Sequence, residues 1–185
     1  MTNLNRRNFL GFTSAFIGSA VAAPAFATPS TTEKWDLTTD IVIVGAGGAG
    51  LAAAAQAGLL GVKCIVLEKE PVVGGSSVIC GGKWAVSGSE LQIKQGVKDS
   101  EELFVKDMMD CGMQKNDLEV VKAYVKENNE TWKWVHTVGK IEPLALNMAG
   151  GQSVPRSLVV KPGQVIEFLR KTATDKGAQI MTRVK

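Results

Sequence analysis

Between Val44 and Leu51 the chain reads GAGGAG, with Gly45, Gly47, Gly48 and Gly50 separated only by Ala46 and Ala49. Backbone with so few side chains suits close approach to a ligand. In this spacing Gly45 allows a tight turn, Gly47 lets the main chain approach a pyrophosphate, and Gly50 lets a helix pack closely on a strand. Glu68 follows 23 positions after Gly45, where a carboxylate accepts hydrogen bonds from the two hydroxyls of an adenosine ribose. An acidic group there repels a 2′-phosphate, so NADP is disfavoured despite the adjacent Lys69, and NAD and FAD both remain open.

A glycine motif means little unless the elements around it are right. Here "DIVIVG" is an apolar, β-branched run of the kind expected for a strand buried on both faces of a parallel sheet. "LAAAAQAGLLG" predicts a helix stopped by Gly61, and "VKCIVLEKE" predicts a second strand ending at Glu68. The order strand, turn, helix, strand puts the helix N-terminus, with its unpaired N–H groups and positive dipole end, where phosphates can reach it.

Past Glu68 comes a second glycine pair, Gly74 and Gly75, with Ser76 and Ser77, and then a third pair, Gly81 and Gly82. A simple NAD site has no need of these extra amides and hydroxyls. A longer ligand running on from the pyrophosphate towards an isoalloxazine does, which favours FAD.

Together "GAGGAGLAAA", "LEKEPVVGGSS" and "GGKWA" resemble the FAD-binding domain of the fumarate reductase and succinate dehydrogenase flavoprotein superfamily, particularly its flavocytochrome c and 3-ketosteroid dehydrogenase branch. "MAGGQSVPRSLVVKPGQVIEFLRKTATDKGAQI" is similar to that family's segment leading into a helix and the next strand, so the resemblance runs from about Asp40 to the end. It implies an α/β, Rossmann-like FAD-binding domain with a parallel sheet, incomplete at the C-terminus. Gly45, Ala46, Gly47, Gly48, Ala49 and Gly50 then surround the pyrophosphate, Glu68 holds the ribose with Lys69 beside it, Gly74, Gly75, Ser76 and Ser77 lie against the cofactor, and Gly81 and Gly82 pass close to the flavin. Two departures are visible: the family often has Asn or Thr where Ser76 and Ser77 stand, and a small residue where Lys83 follows Gly82.

Beyond these motifs the chain predicts structure more than chemistry. "SEELFVKDMMDCG" opens with an N-cap and an acidic first turn, "NDLEVVKAYVKENNETWKWVHTVG" repeats apolar residues at helical spacing, and these helices are expected to cover a sheet. Pro162 fits a first helical turn, Val165, Phe168 and Leu169 share a face, Gly177 fits a C-terminal cap, and "AQIMTRV" reads as a strand. His136, the only histidine, sits near Trp132 and Trp134 and is read as a packing or surface residue, and no catalytic residue is nominated. Cys64, Cys80 and Cys111 are odd in number, lack a CxxC spacing and are read as small buried hydrophobes, with no metal site. The 21 basic and 18 acidic residues are interspersed, which gives nucleic-acid binding no support.

The N-terminus adds a destination. Arg6-Arg7 before Asn8, Phe9 and Leu10, a short apolar stretch, and Ala25-Phe26-Ala27 read as a twin-arginine (Tat) signal over 1–27, with an ordinary secretory signal or a membrane anchor as the alternatives. A flexible leader, 28–39, then joins it to the FAD-binding portion, 40–185, and the mature chain is expected in the periplasm without a membrane span. In the resembling family a second domain closes over the substrate and supplies the proton donor, both expected beyond Lys185. The expectation is therefore an exported FAD-dependent oxidoreductase transferring hydride between flavin and an activated C–C bond, present here as its N-terminal part. Its implied partners are an unsaturated carboxylate and a cytochrome or other electron-donor subunit. An electron-transfer module serving a separate subunit, or a non-functional truncated product, are the alternative readings.

Overall fold

The computed structural model describes residues 35–184. The chain divides into Met1–Asp36 and Leu37–Lys185, and all the elements below lie in the second unit. The signal assigned to residues 1–27 and most of the leader lie outside the described residues.

The β-branched residues after Asp40 form β1 (Ile41–Val44), and the glycines lead directly into α1 (Gly48–Leu59). Alanine loses no side-chain entropy in a helix, which suits α1 to its place, and Gly61 ends the helix in a left-handed conformation at φ +74°. β2 (Cys64–Leu67) runs parallel to β1, with Ile41 opposite Cys64 and Val44 opposite Leu67. Much later, Pro162 opens α6 (Pro162–Asp175), where its missing N–H needs no partner. Gly177 follows at φ +93°, and β6 (Gln179–Met181) adds parallel to the far side of β2, giving the order β1-β2-β6.

Small residues decide how this layer packs. Leu51, Ala54, Ala55 and Ala57 of α1 meet Ile166, Leu169 and Ala173 of α6 over Cys64 and Val66 of β2 in one buried cluster. The expected burial of β1 on both faces does not occur. Ile43 packs towards α1, whereas Val42 and Val44 are 57% and 84% exposed, because among the described residues nothing lies against their face or along the free edge of β1.

Between β2 and α6 the chain builds a second sheet, which periodicity did not reveal. The elements are α2 (Gly75–Val78), β3 (Lys83–Ala85), α3 (Glu90–Lys94), α4 (Glu101–Cys111), α5 (Leu118–Thr137), β4 (Ala145–Asn147) and β5 (Ser157–Val159). β5 pairs antiparallel with both neighbours in the order β3-β5-β4. The expected covering of a sheet by helices happens here: Trp132 and Val135 of α5 are buried with Val86, Leu158 and Val160. The α4 cap is the one its sequence predicts, Ser100 Oγ accepting from the Leu103 N–H at 3.1 Å, and α5 is capped as well, by Asp117 Oδ1 accepting from the Glu119 N–H at 3.0 Å.

Arg156, immediately before β5, fastens this sheet to α4 and the segment ahead of it. The side chain is fully buried, with Nη2 2.8 Å from Asp99 Oδ1, Nη1 2.8 Å from Asp107 Oδ2, and the guanidinium carbon 4.6 Å from the centre of the Phe104 ring. Burial works against the Asp107 carboxylate, but the Ser153 hydroxyl and amide together with Arg156 outweigh it and hold its carboxyl below the ordinary range.

Candidate functional site: the glycine turn between β1 and α1

The turn is held from both sides by backbone. The Gly45 N–H donates to Leu67 O at 2.7 Å, and Gly45 takes φ +96°, which an L side chain rarely adopts. Ala46 is buried, and its carbonyl accepts from the Gly74 N–H at 2.8 Å. The other glycines are needed for different reasons. A Cβ at Gly50 would stand 1.9 Å from the Gly45 carbonyl oxygen, and one at Gly48 would stand 2.8 Å from Ser77 Oγ. Gly47, at φ −77°, would accept a side chain without strain, and a Cβ there would meet nothing nearer than Gly74 O at 4.0 Å. The fold therefore does not require glycine at 47, and the space beside it is open. Ala49 is exposed on the first turn of α1.

Glu68, one residue past β2, reaches back into this turn. Its Oε2 accepts from the Ala46 N–H at 2.7 Å and its Oε1 from the Glu70 N–H at 2.9 Å, with the residue only 7% exposed. Those two N–H groups, Glu70 first and Ala46 second, draw its carboxyl below the ordinary value of 4.5 and keep it an anion. Each oxygen retains a further lone pair for an outside donor. The sequence placed the acidic residue correctly but gave no sign that it closes the turn; that role depends on main-chain N–H groups, which carry no side-chain pattern. Lys69, beside it, is exposed and lies 3.8 Å from Glu70.

The second glycine pair comes to the same place. Gly47 and Gly74 form a parallel bridge, and the Gly48 N–H donates to Ser77 Oγ at 3.2 Å, so α2 sits against the mouth of the turn. Gly74 takes φ +114° and Gly75 φ +50°. Ser76 is exposed beside them. The third pair borders the same region: Gly82 is buried at φ +66°, and a Cβ there would come within 2.2 Å of Val160 O, while Gly81 has nothing within 4 Å. A cavity of about 170 Å³ lies between these parts, lined by Gly48, Ser77, Gly82, Lys83, Trp84 and Ile166 among others.

His136 stays apart from this cradle. It stacks on Trp132 with ring centres 5.5 Å apart and planes 8° apart, and its Nδ1 is 2.9 Å from Ile141 O, which agrees with a packing role. Of the cysteines only Cys64 is buried, and burial pushes its thiol up; Cys80, which lines the cavity beside the glycine turn, and Cys111, whose thiol donates to Gly151 O at 3.5 Å, are exposed, against expectation.

The comparisons with known proteins turn this geometry into a family. Residues 40–173 match the family described as "FAD binding domain". The chain belongs to that family. Over 157 residues it is 35% identical to the acrylate reductase flavoprotein subunit of Shewanella woodyi, covering 83% of this chain and 31% of that protein. Over 161 residues it is 35% identical to the urocanate reductase of Eggerthella lenta, covering 86% of this chain and 26% of that protein. The open conformation of a flavocytochrome c3 fumarate reductase superposes with a TM-score of 0.74 at 29% identity, covering 80% of this chain and 27% of that one. The chain thus spans less than a third of the length of these curated relatives.

For an FAD binding domain the cofactor is FAD, which resolves the choice that the first glycine motif left open. The cradle also fits it. The first turn of α1 offers main-chain N–H groups, position 47 offers room, and the Glu68 anion has free lone pairs at the end of β2. The α/β architecture with a parallel sheet is the one that the resemblance implied. No helix among the described residues is long and apolar enough to cross a membrane.

Proposed function

We propose that this chain forms the FAD-binding part of an oxidoreductase that reduces an activated carbon–carbon double bond. The observation that carries the proposal is the space at Gly47, open beside a helix N-terminus and a clamped carboxylate. Bound FAD supplies hydride transfer, and the chain supplies binding, orientation and charge. The N–H groups at Gly47, Ala49 and Gly50 face the pyrophosphate, Gly48 borders it with its own N–H held by Ser77 Oγ, Glu68 accepts from the ribose hydroxyls, and Ser76 and Ser77 add small polar contacts beside Gly74 and Gly75. Gly81 and Gly82 let the backbone pass close to the flavin ring.

The relatives named above act on acrylate, urocanate and fumarate, all unsaturated carboxylates, and that is the substrate class we assign. Two further relatives are named fumarate reductase (cytochrome), which supports a cytochrome or similar electron donor as partner. The twin arginines support export to the periplasm by the Tat route, with a signal over 1–27, a leader over 28–39 and the FAD-binding portion from Asp40.

Gly47→Val tests the site. A Cβ there meets nothing nearer than Gly74 O at 4.0 Å, and the valine methyls fill the space against the pyrophosphate, so the variant should fold with a Tm close to that of the wild type and lose most of its bound FAD. Undiminished flavin absorbance in the purified variant would remove the glycine turn from the site.

A further inference from the structure

Lys83 is the single charged residue lining the cavity beside the glycine turn, and most of its neighbours there, including Trp84, Val160, Pro162 and Ile166, are apolar. The strand that carries it is fixed at both ends. Gly82 has no room for a Cβ against Val160 O, and the Val160 N–H donates to Gly82 O at 2.8 Å. On the next residue, the Trp84 indole N–H donates to Asn128 Oδ1 at 2.7 Å, and its ring meets Trp132 edge-on at 5.5 Å. Trp84 packs against the cluster under α5 and, with Lys83 beside it, also lines the cavity. Among the described residues no carboxylate pairs with its ammonium group.

Lys83 is exposed at the mouth of this cavity, and an anion that enters and displaces the water beside it feels the ammonium more strongly than it would in bulk water. With FAD in the site two anions are available. The pyrophosphate is already served by the first turn of α1 and its dipole. The ring system becomes the second: two electrons and one proton leave it with one negative charge. We infer that Lys83 is the residue that favours the reduced cofactor, setting the redox potential of this site. The inference rests on the FAD-binding reading given above.

The test uses the full chain with FAD, comparing wild type, Lys83→Met, which keeps an apolar stem, and Lys83→Arg. The midpoint potential is read by titration with dithionite, which is oxidised to bisulfite as it delivers two electrons, against a reference dye; the affinity for ADP is measured separately. Lys83→Met should lose about tenfold in preference for reduced over oxidised FAD, a fall of about 30 mV for a two-electron couple, with ADP affinity unchanged. Lys83→Arg should restore most of the potential. An unchanged potential in FAD-loaded Lys83→Met overturns the inference and leaves the FAD site standing. Parallel losses in ADP and FAD affinity at constant potential also overturn it, by assigning the ammonium to the pyrophosphate. A wild-type chain that takes up no FAD overturns the site itself and this inference with it.

Discussion

Replacing Gly50 by alanine puts one methyl group where the turn and α1 come closest. The new Cβ would stand 1.9 Å from the Gly45 carbonyl oxygen, against the 3.0 Å below which real Cβ contacts essentially never fall, so turn and helix must part by about 1.1 Å. The obstacle is backbone rather than the end of a flexible side chain, which places the cost near the upper end of overpacking, about 3 kcal/mol. Alanine recovers about 1 kcal/mol of helix propensity, leaving a net loss of about 2 kcal/mol. For a chain of this size that lowers Tm by about 4–8 °C. Thermal unfolding followed by far-UV circular dichroism, on protein stripped of flavin, separates this packing effect from any loss of ligand. FAD affinity should fall as well, because the same 1.1 Å shift moves the N–H groups at the start of α1. A Gly50→Ala protein with wild-type Tm and wild-type FAD uptake would refute the close-packing role of the third glycine.

The other expectations are more direct. Glu68→Gln turns one of two carboxylate acceptors into an amide donor facing a backbone N–H, and FAD should bind about tenfold or more weakly by flavin fluorescence titration. Because the folded Glu68 carboxyl lies below its ordinary 4.5, its contribution to stability is present above that pH and lost as pH falls through the folded value; Glu68→Gln should flatten this part of the acid limb of Tm against pH. Arg156→Met leaves Asp99 and Asp107 buried without their cation, which should cost about 3–5 kcal/mol in urea unfolding; an unchanged midpoint would show that the ion network adds nothing. Replacing Arg6 and Arg7 together by lysine should retain the precursor in the cytoplasm, and continued export through the general secretory route would exclude Tat.

What the sequence made legible was local. The β1, turn, α1 and β2 series lies within one stretch of chain, and each step carries its own signal: β-branching, glycine spacing, alanine, then β-branching again. The cap at Ser100, the proline at the start of α6 and the strand after Gly177 were legible for the same reason. The sheet of β3, β5 and β4 was not. Its strands have three residues each, too short for an alternating pattern, and its pairings join Lys83 to Val159 across most of the helical region. Nor does any local pattern connect Arg156 to Asp99, which lies 57 residues away. The exposure of Val42 and Val44 was missed because an apolar run shows that burial is favourable without showing what provides it.

The four glycines of the turn look alike in sequence, and the structure separates them by what each would meet. Gly45 answers to a backbone angle, Gly48 to a serine hydroxyl and Gly50 to a carbonyl, all of them demands of the folded chain. Gly47 answers to none of these, which supports the proposal that it serves the ligand. Glu68 joins the two kinds of demand, since the oxygens that accept from Ala46 and Glu70 are also those left to meet a ribose. In the proposed site, a ligand that completes the coordination of this carboxylate would stiffen the turn that carries Gly47 and Gly48. Binding at the ribose and at the phosphates should therefore be coupled. In a double-mutant cycle on FAD affinity, Gly47→Val and Glu68→Gln together should cost less than the sum of their separate losses; strict additivity would show that the clamp and the cradle act independently.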